Sequence, residues 1–256
     1  MQLTYVGHAT VLLETGGRRI LTDPMLRNRV THLTRRPSPV APEWYSSLDA
    51  VLISHLHWDH FDTASLRLLD HKTRFIVPLG TAPLLEKLGF RHVEEVNVGE
   101  QTNVGPLTIT ATYAEHGRSR LPFGRSAPCL GFLINGGHTT YFPGDTDLFP
   151  EMTALAPQPI DLALLPVWGW GPTLGNGHMT PQRAAEALTL LRPRLAIPIH
   201  WGTYHPIGMG WLDPEFMRVP PHTFVTQAAF TAPQVKTFVV APGEGIDLTN
   251  WVNGTS

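Results

Sequence analysis

The chain has 256 residues, 42% of them hydrophobic and 16% charged, with a formal net charge of −2; that length carries a full core, and the charge leaves no footprint for nucleic acid or a polybasic membrane contact. A single cysteine, Cys129, excludes an internal disulfide and any Cys-rich zinc module. The first six residues carry no charged leader and no apolar run reaches the ~18 residues of a membrane span, so the expectation is one soluble, cytoplasmic domain over residues 1–256, without integral membrane association.

Residues 2–6, 10–14 and 18–22 are short runs of β-formers, parted by Gly7 and by Gly16-Gly17, and Pro24 closes the third. Residues 25–47 are basic, contain prolines and show no clean period; a loop of that length in a compact domain is functional or mobile. Its arginines (Arg27, Arg29, Arg35, Arg36) read as solvated surface before they read as an anion site. The apolar run 48–53 is a buried strand. Helical spacing follows at 63–69, with Asp62 as N-cap, then a strand at 74–77 and a helix at 81–88 ended by Gly89. Strands are expected at 92–97 and 107–113, and 129–135 and 139–142 flank Gly136-Gly137 as a hairpin. A helix at 148–156, a strand at 162–165, a helix at 181–191 with Pro181 in its first turn, a strand at 195–199 and a late strand at 237–240 complete the order. Strands first, then strands alternating with helices, predict an α/β sandwich with its helices outside.

The stretch behind the fourth strand carries the chemistry. Ser54-His55-Leu56-His57-Trp58-Asp59-His60 places three imidazoles and a carboxylate within six positions. His55 and His57, two apart, can share one side of an extended segment, while Asp59 and His60 need the following turn to aim at a second point. These are ligands for Zn²⁺, Fe²⁺ or Mn²⁺. His116, Asp145 and His200 each follow an apolar strand, where such a fold offers its functional residues. Taken singly, a strand-end histidine is as readily structural. Together they complete two sets: His55, His57 and His116 in one, Asp59, His60 and His200 in the other, with Asp145 bridging.

In order, His55-Leu56-His57-Trp58-Asp59-His60, His116, Gly144-Asp145-Thr146 and His200 resemble the ligand motifs of the metallo-β-lactamase superfamily. The resemblance implies the four-layer αβ/βα sandwich, with a dinuclear site at one edge of its two sheets. Gly7-His8-Ala9-Thr10, Leu21-Thr22-Asp23-Pro24 and Ile199-His200-Trp201-Gly202-Thr203-Tyr204 further resemble the branch holding ascorbate phosphate lactonases and N-acyl phosphatidylethanolamine phospholipase D enzymes. The run Gly117-Arg118-Ser119-Arg120 departs from the phospholipase pattern, which also has a membrane-binding N-terminal extension, and the glycine-rich stretch 167–177 departs from both.

The chemistry implied is hydrolysis. Two divalent ions, zinc first with manganese or iron also accepting this set, would share a water, lower its pKa and supply a hydroxide. It would cleave an ester-type bond (lactone, phosphodiester or carboxylic ester) in a small, anionic substrate. Asp59 would orient the nucleophile besides binding metal. His178, before the helix at 181, resembles a histidine of that branch that either supports a ligand or stands in the active site, and is a candidate for proton transfer or a substrate contact. His8 is either a further catalytic group or a packed residue bonded to a ligand loop. Trp168 and Trp170, with Trp58, Trp201 and Trp211, flank the site loops as pocket walls or core. Arg118 and Arg120, with Arg125, would clamp a phosphate or carboxylate, or simply be solvated. His205 reads as a support for the site, His32, His71, His92, His138 and His222 as surface or packing, and Cys129 as a small core residue. Residues 25–47, or the proline-rich tail after Trp211, could join copies in a homo-oligomer. The alternative is a non-hydrolytic metal binder, either a degenerate module or a redox di-iron protein. The redox reading needs a carboxylate where His57 stands and a flavin-binding partner domain.

Overall fold

The computed structural model describes residues 1–117, 119–120, 126–155, 159–209 and 214–252. Strict alternation of apolar side chains builds its layers. Leu3, Tyr5, Val11, Leu13, Ile20, Ala50, Leu52 and Ile76 point into one core, while Val6, Leu12, Leu21, Val51, Ile53, Phe75 and Val77 point into another. A period of two with both phases apolar is what a sheet covered on both faces requires.

That sheet has seven strands in the order Glu244–Asp247, Gln2–Gly7, Thr10–Thr15, Arg18–Thr22, Ala50–Leu52, Phe75–Pro78 and Val93–Val96. The first four pair antiparallel and the last four parallel, with Arg18–Thr22 common to both halves. The second sheet has the order Lys236–Thr237, Leu195–Ile199, Leu162–Pro166, Thr139–Phe142, Leu130–Asn135, Leu107–Tyr113 and Gln101–Val104. Ile109, Ala111, Phe132, Ile134 and Tyr141 share the first core with Leu3 and Tyr5, so the sheets stack face to face. The outer face of the first sheet packs on Leu66, Leu69, Leu85 and Phe90, from and around the helices Thr63–Leu66 and Ala82–Lys87. The helix Pro181–Leu191 buries Ala184, Ala185, Ala187, Leu188 and Leu191, and packs on a further helix, Val219–Thr231. The result is the four-layer αβ/βα sandwich.

Several elements differ from the sequence reading. Residues 25–47 are not without structure: Arg29–Val30 and Leu33–Arg35 join Tyr204–Pro206 in a three-stranded sheet, and Pro42–Trp44 is a 3₁₀ turn. Runs of only two or three residues, of which Leu33–Arg35 pairs with a strand roughly 170 positions away, leave no local period. The helix expected at 148–156 is a 3₁₀ turn, Pro150–Ala154. The late strand is Lys236–Thr237. The tail after Trp211, read as proline-rich, contains the helix Val219–Thr231. Its prolines at 220 and 221 lie in the first turn, and its apolar residues on all sides hide the helical period. No helix among the described residues is long and apolar enough to cross a membrane.

Candidate metal centre

The ends of the strands of both sheets deliver the site. Residues 54–60 leave Ala50–Leu52, and a turn in which the His60 and Phe61 amides donate to the His57 carbonyl swings Asp59 and His60 round. His116 leaves Leu107–Tyr113, Asp145 leaves Thr139–Phe142 and His200 leaves Leu195–Ile199. Gly144 takes φ 62°, and a Cβ there would lie 2.4 Å from Ser54 Cβ, so only glycine lets this turn seat itself against the start of the histidine motif. Gly177 does the same for His116: at φ 77°, its Cβ would lie 2.9 Å from His116 Nδ1.

The hydrogen-bond network fixes which ring nitrogens carry lone pairs. The Ser54 hydroxyl donates to Asp23 Oδ2 at 2.6 Å, so its oxygen accepts from His55 Nδ1 at 2.9 Å, and His55 Nε2 is left as an acceptor. His116 Nδ1 donates to the Gly177 carbonyl at 2.7 Å, leaving Nε2 as an acceptor. Both acceptors meet His57 Nδ1 at 3.0 Å. Burial lowers the pKa of all three rings, so they stay neutral. His57 Nδ1 either carries a proton that these two acceptors share or, with its proton on Nε2, joins them as a third lone pair around a cation. Tetrahedral ligands at zinc–nitrogen bond lengths stand about 3.3 Å apart, close to what is seen here.

The second cluster holds His8, Asp59, His60 and His200. His200 Nδ1 donates to the Trp168 carbonyl at 2.7 Å, so its Nε2 is again an acceptor. It faces His60 Nε2 at 3.1 Å and Asp145 Oδ1 at 3.2 Å. That carboxylate oxygen is buried and has no donor, so two acceptors oppose each other there too. Burial holds His200 down at about 3. His60 goes the other way. Burial disfavours its charge, but Asp145, Asp23 and Asp59 outweigh that and raise its pKa well above the ordinary value. The cluster therefore demands positive charge at the point where His60, His200 and Asp145 meet. Asp145 Oδ2 lies 3.0 Å from His60 Nε2 and 3.9 Å from His55 Nε2, which places this carboxylate between the two clusters.

His60 is oriented by a residue that the sequence reading placed in a motif but gave no role. Asp23 is fully buried and accepts His60 Nδ1–H at 2.8 Å, besides the Ser54 amide at 2.7 Å and the Ser54 hydroxyl. A carboxylate behind a ligating imidazole fixes its tautomer and raises its basicity. The position after a strand, in Thr22-Asp23-Pro24, was the available signal.

The remaining candidates differ in where they sit. His8 is buried and bonds Asp59 Oδ2 at 3.2 Å, with its ring on His200, so it belongs to the centre. His178 is half-buried at the open side, with Nε2 3.3 Å from Asp145 Oδ2 and Nδ1 donating to the Gly175 carbonyl at 3.1 Å. Burial lowers its pKa, but the hydrogen bond to Asp145 outweighs that and pushes it up to about 9. Trp170 donates its indole N–H to Asp59 Oδ2 at 3.1 Å, and Trp168 donates its own to the Gly171 carbonyl. Arg118, Arg125 and Trp211 lie outside the described residues, and Arg120 falls on the short ribbon Ser119–Arg120 with Ser126–Ala127. An apolar cavity of about 540 Å³ lies behind Trp168, lined also by Pro172, Phe216 and Val219, and no ligand candidate lines it. His32 is not plain surface: it is exposed yet packs on Trp58 and Trp170 at centroid distances of 5.1 and 5.2 Å.

A four-layer sandwich whose strand ends gather histidines and aspartates into two adjoining clusters defines a metal-binding hydrolase scaffold. The chain belongs to the metallo-β-lactamase superfamily: residues 18–201 match the model described as a beta-lactamase superfamily domain, and the chain is a metal-dependent hydrolase of that class. It is 35% identical to a metal-dependent hydrolase of Opitutus terrae, over 97% of this chain and all of the relative. It is 32% identical to the N-acyl-phosphatidylethanolamine-hydrolyzing phospholipase D 1 of Caenorhabditis elegans, over 80% of this chain and 64% of that protein. Among solved structures, a metallo hydrolase of the archaeon Ignicoccus hospitalis superposes with a TM-score of 0.73 at 27% identity, covering 96% of this chain and 97% of that one.

Proposed function

We propose that the protein is a dinuclear hydrolase that cleaves an ester-type bond in a small anionic substrate. The observation that carries this is the gathering of acceptor atoms about two points: His55 Nε2 and His116 Nε2 beside His57 Nδ1 on one side, and His200 Nε2 against the donorless Asp145 Oδ1 on the other. His55, His57 and His116 would hold one ion, Asp59, His60 and His200 the other, with Asp145 contributing to both. Zinc suits this nitrogen and oxygen set best, and manganese or iron also fit it. Bound there, two divalent cations supply a nucleophile at neutral pH and an electrophilic hold on the oxygen of the bond under attack.

The chain's own residues do the rest. Asp59, buried and held by donors from His8 and Trp170, keeps its carboxylate in one orientation and would orient the attacking water. Burial raises the pKa of Asp59, but His60 and His8 outweigh that and hold it well below the carboxylate range, so it remains an acceptor. His178 sits on the open side with one ring nitrogen tied to the Gly175 carbonyl and the other turned to Asp145, where it can pass a proton to the departing oxygen. Three buried carboxylates, Asp23, Asp59 and Asp145, against two divalent cations leave net positive charge, which favours an anionic substrate. The relative that hydrolyses N-acyl-phosphatidylethanolamine supports an ester of phosphoric acid as one member of the class.

The test is metal content by elemental mass spectrometry beside an activity panel of lactone, phosphodiester and carboxylic ester substrates. About two ions per chain, with hydrolysis of at least one class lost in His57→Ala, is the expected result. A chain that neither carries nor takes up metal would refute the reading.

A further inference from the structure

We propose that Trp170 is a positioning residue for Asp59, so that the loop 167–177 sets metal affinity at the Asp59–His60–His200 cluster. The proposal rests on the dinuclear reading above.

The indole N–H of Trp170 reaches Asp59 Oδ2 at 3.1 Å, across 111 positions of sequence. An indole N–H is a donor only; it can neither ligate a metal nor change protonation in water, so it offers Asp59 one fixed direction. His8 Nε2 approaches the same oxygen at 3.2 Å, and His60 Nε2 lies 3.9 Å from it. Asp59 itself sits in a tight turn on a short side chain, buried, with its orientation free to vary only about two bonds. The two donors are what remove that freedom.

The indole is in turn clamped. Trp58, between ligands His57 and Asp59, lies 5.4 Å from it between ring centroids, and His32 lies 5.2 Å away edge-on. His32 and Trp58 touch each other at 5.1 Å. Rings at these separations are in direct contact, so no ligand fits between them, and the trio forms a brace rather than a cage. It joins three stretches that the strand order keeps apart: residues 25–47 through His32, the histidine motif through Trp58, and residues 167–177 through Trp170. Trp58 and Trp170 also pack on Met25, Val30, Leu33 and Tyr204, which anchors the brace to the three-stranded sheet. The loop 167–177, whose Trp168 and Gly177 carbonyls already hold His200 and His116, thereby also bears on the Asp59 carboxylate.

Two variants separate the donor from the packing. Trp170→Phe keeps a ring in the brace and removes the N–H. His32→Ala keeps the N–H and loosens its support. Stepwise metal uptake is followed by competition with a chromophoric chelator, using Zn²⁺, and by the visible absorption of the Co²⁺-loaded protein. The expected result is two uptake steps in wild type. One of them should be about 10- to 100-fold weaker in Trp170→Phe, the loss usual for a residue that orients a ligand, with altered Co²⁺ bands for one ion. His32→Ala should weaken the same step by less. Two wild-type steps and wild-type bands in Trp170→Phe would overturn the proposal alone. So would equal weakening of both steps, the signature of loosened packing. A wild-type chain that takes up no ion overturns the dinuclear reading and this proposal with it.

Discussion

His8 and His200 lie ring on ring with centroids 3.8 Å apart, and both backbones occupy the left-handed region, at φ 57° and 64°. The His200 amide donates to the His8 carbonyl at 2.8 Å, and the His8 amide donates to Thr203 Oγ1 at 2.7 Å. Two loops from different sheets are thus locked through main chain at the point where their side chains enter the centre. A non-glycine residue held there costs roughly 1–2 kcal/mol of conformational strain, which the surrounding bonds offset.

Substitution at His8 should divide strain from chemistry. His8→Gly removes the ring and relieves the backbone; His8→Ala removes the ring and keeps the strain. Urea unfolding should find His8→Gly more stable than His8→Ala by about 1 kcal/mol. Hydrolysis should fall in both, because Asp59 loses the same donor. Equal stabilities would show that the left-handed geometry relaxes when the ring is absent.

Asp23→Asn should act on metal without touching a ligand. An amide keeps one oxygen where the carboxylate uses both, so either His60 Nδ1–H or a Ser54 donor then meets an N–H. Metal affinity should drop by about 10- to 100-fold. Asp23→Ala should also cost about 1–3 kcal/mol in urea, since it strands the buried Ser54 amide. Chelator competition and unfolding curves on the two variants check both halves; unchanged affinity in Asp23→Asn would remove Asp23 from the centre.

The residues that the structure gathers into the two clusters were legible because most follow an apolar strand and the first motif packs four into six positions. Asp23 was harder: a single aspartate before a proline looks like a strand end, and its work appears only when Ser54 and His60 close on it. Trp170 reads as a pocket wall or core filling, since nothing local says that its N–H turns inward to Asp59. The strand alternation that builds two covered sheets lies in Leu3, Tyr5 and Val6 and their like. The helix at 219 was invisible for the opposite reason, as apolar residues on all its faces erase the period.

His178 should shape the pH profile. Its hydrogen bond to Asp145 outweighs burial and pushes its pKa up to about 9, so it is protonated, and able to donate, below that value. A cation on Asp145 draws on the same oxygen, which brings the titration down toward the ordinary imidazole value. Turnover should therefore decline on an alkaline limb between about 6.5 and 9. His178→Asn should lower kcat by about 10²- to 10⁴-fold and abolish that limb. A variant that keeps the limb would assign it to another group.

Asp62 governs how residues 25–47 are pinned beside the centre. It accepts the Ser65 amide at 2.9 Å as cap of the helix Thr63–Leu66, and it takes two bonds of 2.8 Å from Arg27. Tyr204 holds the same segment through the Arg27 carbonyl at 2.7 Å. Burial raises the Asp62 pKa, but the bonds from Arg27 and Ser65 outweigh it, and the carboxyl titrates below its ordinary value. A depressed folded pKa contributes stability that is full above the unfolded value, near 3.9, and is lost as pH falls through the folded one. Asp62→Ala should cost about 1–2 kcal/mol at pH 7, chiefly the lost cap, with the half-exposed Arg27 adding little. Urea unfolding from pH 7 to pH 3 should show the gap between wild type and variant narrowing as Asp62 takes up its proton. A gap that stays constant with pH would mean that packing, not the ion pair and cap, fixes this corner of the fold.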